Sequence, residues 1–333
     1  MVFCTRCISV LLADIACQSA YKRFVRYLNK SRHMLLPTTP SPCQLIESTA
    51  YLGRRIWVKR DDLLHTEISG NKFRKLKYPL LALQDKNSTL VTMGGLWSNH
   101  LHALAYAAAL GGWQSIGLVR GAVGMTSATL EDCQRFGMQI QFVSRFSYRQ
   151  LRADAQAWRH YVAPIDDSYI WLPEGGSTPT ALRGVAELVD EIEQQLQFIP
   201  EVLMVACGTG ATLAGILAGL RGRSRVIGIA VLKDAAYLHQ EIAHLLQQAG
   251  YPAYKNYQLM TDFHHGGYGK APPELRQFCR DFSQALALPI EPVYTGKLFY
   301  ALHKLQQAHV FHTDERLLVV HTGGLQGARG LID

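Results

Sequence analysis

The chain has 333 residues and a formal net charge of +8 at pH 7. Hydrophobic residues make up 48% of it and charged residues 18%, which excludes a disordered or fibrous protein and favours a soluble one with two lobes or domains. Seven cysteines are too few for a disulfide scaffold, and no run in the body of the chain approaches the ~20 apolar residues that span a bilayer.

The positive charge is concentrated at the N-terminus. Six basic residues and one acidic residue lie in residues 1–33, so the rest of the chain is nearly neutral, which argues against a nucleic-acid or membrane partner. Residues 8–17 resemble a signal-peptide core, but Asp14 interrupts them and the main basic cluster follows them. We interpret residues 1–33 as a basic extension that is disordered or not native, with Met34 as a candidate start. The four cysteines of the body form no close pair, which indicates reduced thiols and a cytoplasmic protein.

Apolar, β-rich segments alternate with helical patterns along the rest of the chain. Strands are predicted at residues 55–59, 89–93, 116–119, 140–143, 169–172, 202–206, 226–230 and 317–321. The clearest helices are predicted at residues 101–110, 180–197 and 213–220. This alternation predicts an α/β fold with mostly parallel sheets and helices on both faces. Ligands in such folds bind at the carboxyl ends of strands, so we expect the site in the turns that follow them.

One of these turns has the composition of a phosphate-binding loop. Residues 207–212, with the sequence CGTGAT, follow a predicted strand and precede a predicted helix. Glycines permit close backbone approach, and threonine hydroxyls and the N–H groups of a helix N-terminus bind anions. The pattern is neither a Walker loop nor a dinucleotide fingerprint. The alternative interpretation is an ordinary tight turn with a threonine cap.

A pair of lysines lies at the start of an earlier helical segment. Lys72 and Lys75 are three residues apart and therefore share one helix face. A lysine held in a dry pocket beside another cation loses its proton more readily and becomes a nucleophile. Taken alone, the pair is more simply explained as a solvated basic face.

Several ordered motifs together resemble a known family. The chain is similar to pyridoxal-phosphate enzymes of the tryptophan-synthase-β fold type (fold type II), and within them to the 1-aminocyclopropane-1-carboxylate deaminase and D-cysteine desulfhydrase family. The matching segments are residues 59–63 (KRDDL), 69–72 (SGNK), 94–100 (GGLWSNH), 173–177 (PEGGS), 207–212, 293–297 (VYTGK) and 321–324 (HTGG). The resemblance implies a large cofactor-binding domain of residues 34–79 plus 169–333, a small α/β domain of residues 80–168, and a homodimer.

The resemblance also implies roles for individual residues. Lys72 would bond covalently to pyridoxal phosphate and act as the base that moves the substrate proton. The implied cofactor-binding residues are Lys72, Lys75, Asn99, Cys207, Gly208, Thr209, Gly210, Ala211, Thr212, Thr295 and Thr322. The implied catalytic residues are Lys72, Ser98, Tyr268 and Tyr294, and the implied substrate-binding residues are Trp97, Ser98, Asn99 and His100. No metal is predicted, because the histidines and cysteines lack the spacing of a zinc site.

Two positions distinguish the branches of this family. Thr295 and Thr322 stand where the deaminase branch has glutamate and leucine, and they match the desulfhydrase-like members. Without the glutamate, the cofactor ring would be a weaker electron sink. Aminocyclopropane carboxylate has no Cα hydrogen, whereas D-cysteine has one and also has a thiolate leaving group with a reference pKa of ~8.5. We therefore predict a D-cysteine desulfhydrase that forms pyruvate, ammonia and sulfide. The alternatives are the deaminase, which forms 2-oxobutanoate and ammonia, and a non-catalytic member that binds pyridoxal phosphate.

Overall fold

The computed structural model describes residues 39–68, 70–83, 85, 87–162, 166 and 168–331. The predicted extension at residues 1–33, Met34 and the Ser69 of the lysine motif lie outside the described residues. The strands are β1 Cys43–Ser48, β2 Arg54–Arg60, β3 Thr89–Gly95, β4 Gln114–Arg120, β5 Gln139–Val143, β6 Tyr169–Leu172, β7 Val202–Cys207, β8 Arg225–Ala230, β9 Tyr257–Met260 and β10 Leu317–His321. The helices are α1 Asn71–Leu81, α2 Asn99–Gly111, α3 Ala128–Arg135, α4 Arg145–Ala153, α5 Pro179–Leu196, α6 Ala211–Leu220, α7 Leu238–Gln248, α8 Pro273–Leu286 and α9 Thr295–Gln307.

The strands form two sheets. The larger has six strands in the order β1-β2-β10-β7-β8-β9, and the smaller has four in the order β5-β4-β3-β6. All neighbouring strands pair in parallel except β1, which is antiparallel to β2. The prediction of an α/β fold with mostly parallel sheets is therefore confirmed.

The larger sheet is covered by helices on both faces, as predicted. Successive side chains of a strand point to opposite faces, so a central parallel strand must be apolar on both. In β7, Leu203 and Val205 pack with α5, α6 and α7, whereas Val202 and Met204 pack with α8 and α9. This double burial explains why the strand appears in the sequence as a continuous apolar run.

The eight predicted strands are all present, and two further strands were missed. Strands β1 and β9 lie at the two edges of the larger sheet and are only partly buried, so neither has a clear apolar pattern. Strand β6 pairs with β3 in the smaller sheet, although the predicted boundary between residues 168 and 169 assigns it to the large domain. The division into two domains stays a prediction. None of the helices in the described residues is long and apolar enough to cross a membrane.

Candidate active site

A cavity of about 300 Å³ lies where the carboxyl ends of strands from both sheets meet. The last residues of β3, β4 and β7, which are Gly95, Arg120 and Cys207, all line it. This is the location expected for a ligand in a parallel α/β fold. Twelve of the predicted site residues line the cavity, namely Lys72, Lys75, Ser98, Asn99, His100, Cys207, Gly208, Thr209, Gly210, Thr212, Tyr268 and Tyr294.

The glycine before α1 allows Lys72 to lie deep in the molecule. Gly70 has a φ of +52°, and a Cβ atom there would lie 1.9 Å from the carbonyl oxygen of Thr322. Only glycine permits this approach, which lets the N–H of Asn71 donate to the same oxygen at 3.1 Å. The first turn of α1 is thereby held against the turn that follows β10.

Lys72 and Lys75 of α1 line the cavity, and each has a lowered pKa. Burial lowers the pKa of Lys72 to about 8, because a charged amine loses its hydration there. Burial, and then the charge of Lys72, lower the pKa of Lys75 well below its ordinary value. The Lys75 amine lies 3.4 Å from the carbonyl oxygen of Gly175, whereas among the described residues the Lys72 amine has no hydrogen-bond acceptor in range. Lys72 is therefore suited to act as a nucleophile or a base near neutral pH.

The turn between β7 and α6 forms the expected cradle for an anion. Gly210 precedes α6 with a φ of +82°, which leaves the first N–H groups of the helix facing the cavity. The hydroxyl of Thr209 accepts a hydrogen bond from Ser177 at 2.6 Å, and that of Thr212 accepts one from Asn71 at 2.9 Å. Each threonine therefore keeps its own proton to donate to a ligand.

The start of α2 supplies three adjacent polar side chains. The Ser98 hydroxyl accepts the N–H of Leu101 as the cap of the helix, at 3.3 Å, and keeps its own proton for donation. Among the described residues, the buried Oδ1 of Asn99 and Nδ1 of His100 have no hydrogen-bond partner. An unpaired buried polar atom is costly, so two orphan atoms at one cavity indicate a ligand with polar groups.

His100 is a neutral acceptor towards the cavity. The hydroxyl of Thr92 donates to the carbonyl oxygen of Leu172 at 2.7 Å, so it must accept the N–H of Nε2 of His100 at 2.9 Å. This assigns the proton to Nε2 and leaves Nδ1 without one. Burial and the charges of Lys72 and Lys75 lower the pKa of His100 well below its ordinary value, which keeps the ring neutral.

The two predicted tyrosines lie side by side at the cavity. The ring centres of Tyr268 and Tyr294 are 5.9 Å apart and the ring planes are inclined by 69°, which is an edge-to-face contact. Tyr268 is 41% exposed, whereas burial raises the pKa of Tyr294 well above its ordinary value, so its phenol stays protonated. A Cβ atom on Gly208 would lie 3.2 Å from the Tyr294 ring, so this ring packs directly on the cradle.

Four predicted site residues lie outside the main cavity. Ala211 is buried in the first turn of α6. Thr322 lines a narrow extension beside Lys72, Asn99 and Tyr294. Trp97 lines an adjoining cavity of about 80 Å³ and packs against the backbone near Gly330.

Thr295 turns away from the cavity into the core. Its side chain is fully buried, and its hydroxyl donates to the carboxylate of Glu291 at 3.2 Å. The same carboxylate accepts the N–H groups of Val293, Tyr294 and Thr295 at 2.6, 2.9 and 2.8 Å. Burial raises the pKa of Glu291 to about 7, although these donors favour its charged form. Among the described residues, the Thr295 hydroxyl therefore bonds to Glu291 and helps to hold the start of α9.

The cavity also contains polar residues that were not predicted. Arg120, Tyr148, Arg152 and Glu174 line its wall on the side of the smaller sheet. Glu174 lies in a matched motif and Arg120 directly follows the strand predicted at residues 116–119, so both had a signal in the sequence. Tyr148 and Arg152 lie on α4, four residues apart, and nothing in the local sequence marks them.

The residues present fit a phosphate-bearing aldehyde cofactor. A buried lysine with a lowered pKa supplies the amine, and the cradle with two available hydroxyls supplies phosphate donors. The unpaired oxygen of Asn99 and nitrogen of His100 give further polar contacts. Among the described residues, no group of three or more histidine, cysteine or acidic side chains is arranged to hold a metal ion.

Comparisons with known proteins agree with a site for a phosphate-bearing aldehyde cofactor. A family model for pyridoxal-phosphate-dependent enzymes matches residues 34–323. The mitochondrial bifunctional D-cysteine desulfhydrase/1-aminocyclopropane-1-carboxylate deaminase of Arabidopsis thaliana is 29% identical over 84% of this chain and 75% of its own length. The D-cysteine desulfhydrase of Salmonella newport is 28% identical over 90% of this chain and 96% of its own. The crystal structure of an ACC deaminase homologue, 29% identical, gives a TM-score of 0.73 over 88% of this chain and 91% of that one.

Proposed function

The chain belongs to the family of pyridoxal-phosphate-dependent enzymes, and we propose that it catalyses β-elimination on a small amino acid, with D-cysteine as the substrate. The predicted cofactor and fold type II are those of this family and of the similar structure. The proposed products are pyruvate, ammonia and hydrogen sulfide.

The observation that carries this proposal is that no free carboxylate lines the cavity among the residues that the structure describes. Glu174 is the one carboxylate among the described lining residues, and it is bonded to Tyr148 and Arg152 at 2.5 and 3.0 Å. Thr322 is neutral, and the Thr295 hydroxyl is bonded to Glu291. Such a site favours a reaction that starts by removing a Cα proton and expels a stable anion, as D-cysteine permits.

The proposed mechanism gives a part to several of the lining residues. When bound, pyridoxal phosphate supplies an aldehyde that bonds to amines and a ring that withdraws electrons from the bonds at the substrate Cα. Lys72 would hold the cofactor covalently, and the turn at residues 207–212 with Lys75 would hold its phosphate. The Lys72 amine, with its pKa lowered to about 8, would accept the Cα proton.

The remaining groups act on the substrate. The free proton of Ser98 would donate to the substrate carboxylate. The protonated phenol of Tyr294, whose ring contacts that of Tyr268, would donate to the departing sulfur as the Cβ–S bond breaks. The Cα proton and the hydrosulfide leave separately, and addition of water to the remaining three-carbon unit yields pyruvate and ammonia.

The second candidate function is 1-aminocyclopropane-1-carboxylate deamination. It is supported by the bifunctional Arabidopsis relative, whose name includes both activities. Its products would be 2-oxobutanoate and ammonia.

An assay of substrates and products distinguishes the two functions. Purified holoenzyme is incubated with D-cysteine, L-cysteine or aminocyclopropane carboxylate while pyruvate, 2-oxobutanoate and sulfide are measured. We expect pyruvate and sulfide in equal amounts from D-cysteine. Formation of 2-oxobutanoate from the cyclopropane, with no sulfide from either cysteine, would establish the second function instead. Retained cofactor with no product from any of these substrates would favour the non-catalytic alternative.

We also infer a homodimer located in the cytoplasm. The four cysteines in the described part of the chain are free thiols, which is typical of a reducing compartment. The dimer is inferred from the family resemblance. Light scattering in solution tests it, and a monomer that retains full turnover would contradict it.

A further inference from the structure

We propose that Arg120 is a specificity-determining residue that binds an anionic group on the β-carbon of the substrate. The substrate class would then be small amino acids whose β-substituent is a carboxylate, a sulfonate or an ionised thiol. This inference rests on the proposed function, because it assumes that an amino acid occupies the cavity.

Arg120 lies beside the turn that begins with Gly95 and carries Ser98. It is the last residue of β4 and is directly opposite Gly95 in the pairing of β3 with β4. A Cβ atom on Gly95 would lie 4.0 Å from the Nη2 atom of Arg120, so the guanidinium extends over this glycine. Arg120 therefore borders the part of the cavity where the proposed substrate would lie.

The guanidinium of Arg120 has no acidic partner in the described part of the chain. Its described contact is with the ring of Tyr148, 5.4 Å from the ring centre. The nearby Glu174 is held by Arg152 at 3.0 Å and by the Tyr148 hydroxyl at 2.5 Å. Arginine presents a planar set of donors that matches a carboxylate or sulfonate. An arginine that lines a ligand cavity without an acid is therefore available to an anionic ligand.

The charge of the cavity wall favours the same ligand class. Apart from the two lysines assigned to the cofactor, the charged residues among the described lining are Arg120, Arg152 and Glu174, and Glu174 is paired with Arg152. The cradle for the cofactor phosphate is built from the β7–α6 turn, with Ser177 and Asn71 bonded to its threonines. Arg120 comes from β4 of the smaller sheet, and its contact in the described part of the chain is with Tyr148 and not with a cradle residue. It is therefore assigned to the substrate and not to the phosphate.

The test is equilibrium binding of two nearly isosteric ligands to the holoenzyme. Aspartate and asparagine differ by one side-chain charge, and both enantiomers are titrated calorimetrically. We expect aspartate of one enantiomer to bind about 10-fold more tightly than the matching asparagine, as for a charged hydrogen bond. In Arg120→Gln this ratio should fall to about one, and in Arg120→Lys it should be intermediate. Arg149→Gln, on the exposed face of α4 and outside the cavity lining, is the matched control and should keep the ratio.

Three results would overturn the inference. The first is equal binding of aspartate and asparagine by the unmodified enzyme. The second is an equal loss of affinity for aspartate and asparagine in Arg120→Gln, which would show that Arg120 binds the α-carboxylate. The third is weaker binding of pyridoxal phosphate to apoprotein carrying Arg120→Gln, with the aspartate preference unchanged.

Turnover of D-cysteine in the same preparations separates this inference from the proposed function. A preference for aspartate that depends on Arg120, without D-cysteine turnover, would support the inference and reject the proposed reaction. D-Cysteine turnover without that preference would reject the inference alone.

Discussion

At the scale of single residues, the proposed chemistry depends on the burial of one amine. Lys72 lines the cavity without a hydrogen-bond acceptor in the described part of the chain, and burial lowers its pKa to about 8. Lys75, one turn later on the same face, lies against the carbonyl oxygen of Gly175. The two lysines therefore have different tasks despite their shared helix face.

Substitution of each lysine should separate these tasks. We expect Lys72→Ala to lose the covalent bond to the cofactor and to lower turnover by about 10²–10⁴-fold, since the base is removed. Lys75→Ala should keep the covalent bond and bind the cofactor more weakly, because it removes one phosphate partner. Borohydride reduction followed by mass spectrometry of the peptide that contains residue 72 measures the bond. A covalent adduct on another lysine in Lys72→Ala would contradict this assignment.

The lowered pKa of Lys72 predicts a specific pH dependence. Only the neutral amine reacts with an aldehyde, so labelling of apoprotein by phosphate-free pyridoxal should rise with pH and level off above about pH 8. At pH 7 roughly one-tenth of an amine with a pKa of 8 is neutral, against about one in 3,000 for an ordinary lysine. The rate is measured on the peptide that contains Lys72, with exposed lysines as internal controls. A Lys72 rate still rising steeply between pH 9 and 10 would show an ordinary pKa.

At the scale of helices and strands, a buried ionic network fixes α1, which carries the cavity residues Lys72 and Lys75. Arg74 is buried and lies 2.6 Å from Asp61, at the end of β2, and 2.8 Å from Glu191 of α5. Lys59 lies 2.7 Å from the same glutamate. Complete pairing offsets the cost of burying these charges, so loss of one partner leaves another unpaired.

We expect Arg74→Met to lower the free energy of unfolding by about 3–5 kcal/mol, because Asp61 would stay buried without its partner. The matched control is Lys77→Met on the same helix, which removes a partly exposed ion pair with Glu187 and should cost less than about 1 kcal/mol. Urea denaturation of both variants provides the measurement. Equal losses in the two variants would show that the network does not stabilise α1.

The start of α9 depends on Glu291 in a similar way. Its carboxylate accepts three backbone N–H groups around Tyr294, which fixes the backbone of that residue. In Glu291→Gln one oxygen becomes an NH₂ group that cannot accept, so at least one buried N–H loses its partner. We expect a loss of about 1–3 kcal/mol in the free energy of unfolding, together with reduced turnover. Unchanged stability in urea denaturation would contradict this account.

At the scale of the whole molecule, the cavity is assembled from both sheets by residues between positions 71 and 294. The basic residues at positions 1–33 account for most of the net charge, and the matching family model covers residues 34–323 and so begins after them. We therefore expect a chain that starts at Met34 to bind pyridoxal phosphate as tightly as the full chain. Fluorescence titration of the two apoproteins measures this. An affinity for pyridoxal phosphate that falls by more than about 3-fold would show that residues 1–33 contribute to cofactor binding. A tenfold change in affinity corresponds to about 1.4 kcal/mol of binding free energy.

The sequence alone determined the fold class and the central strands, and it singled out twelve residues that line the cavity. Central strands such as β7 are buried on both faces and are therefore apolar throughout, which makes them visible in the sequence. The turn at residues 207–212 had the composition of an anion-binding loop, whereas Lys72 was singled out by the resemblance of the surrounding motifs to a family. The edge strands β1 and β9 were missed because partial exposure relaxes the apolar pattern.

Only the tertiary structure decided what each side chain faces. It turned Thr295 into the core, where its hydroxyl bonds to Glu291, although the residue lies in a matched motif next to the cavity residue Tyr294. It brought Arg120, Tyr148 and Arg152 to the wall of the cavity and paired Glu174 with two of them. The physical reason is that the direction and pairing of a side chain depend on packing between elements far apart in the chain. Local sequence patterns do not contain that information.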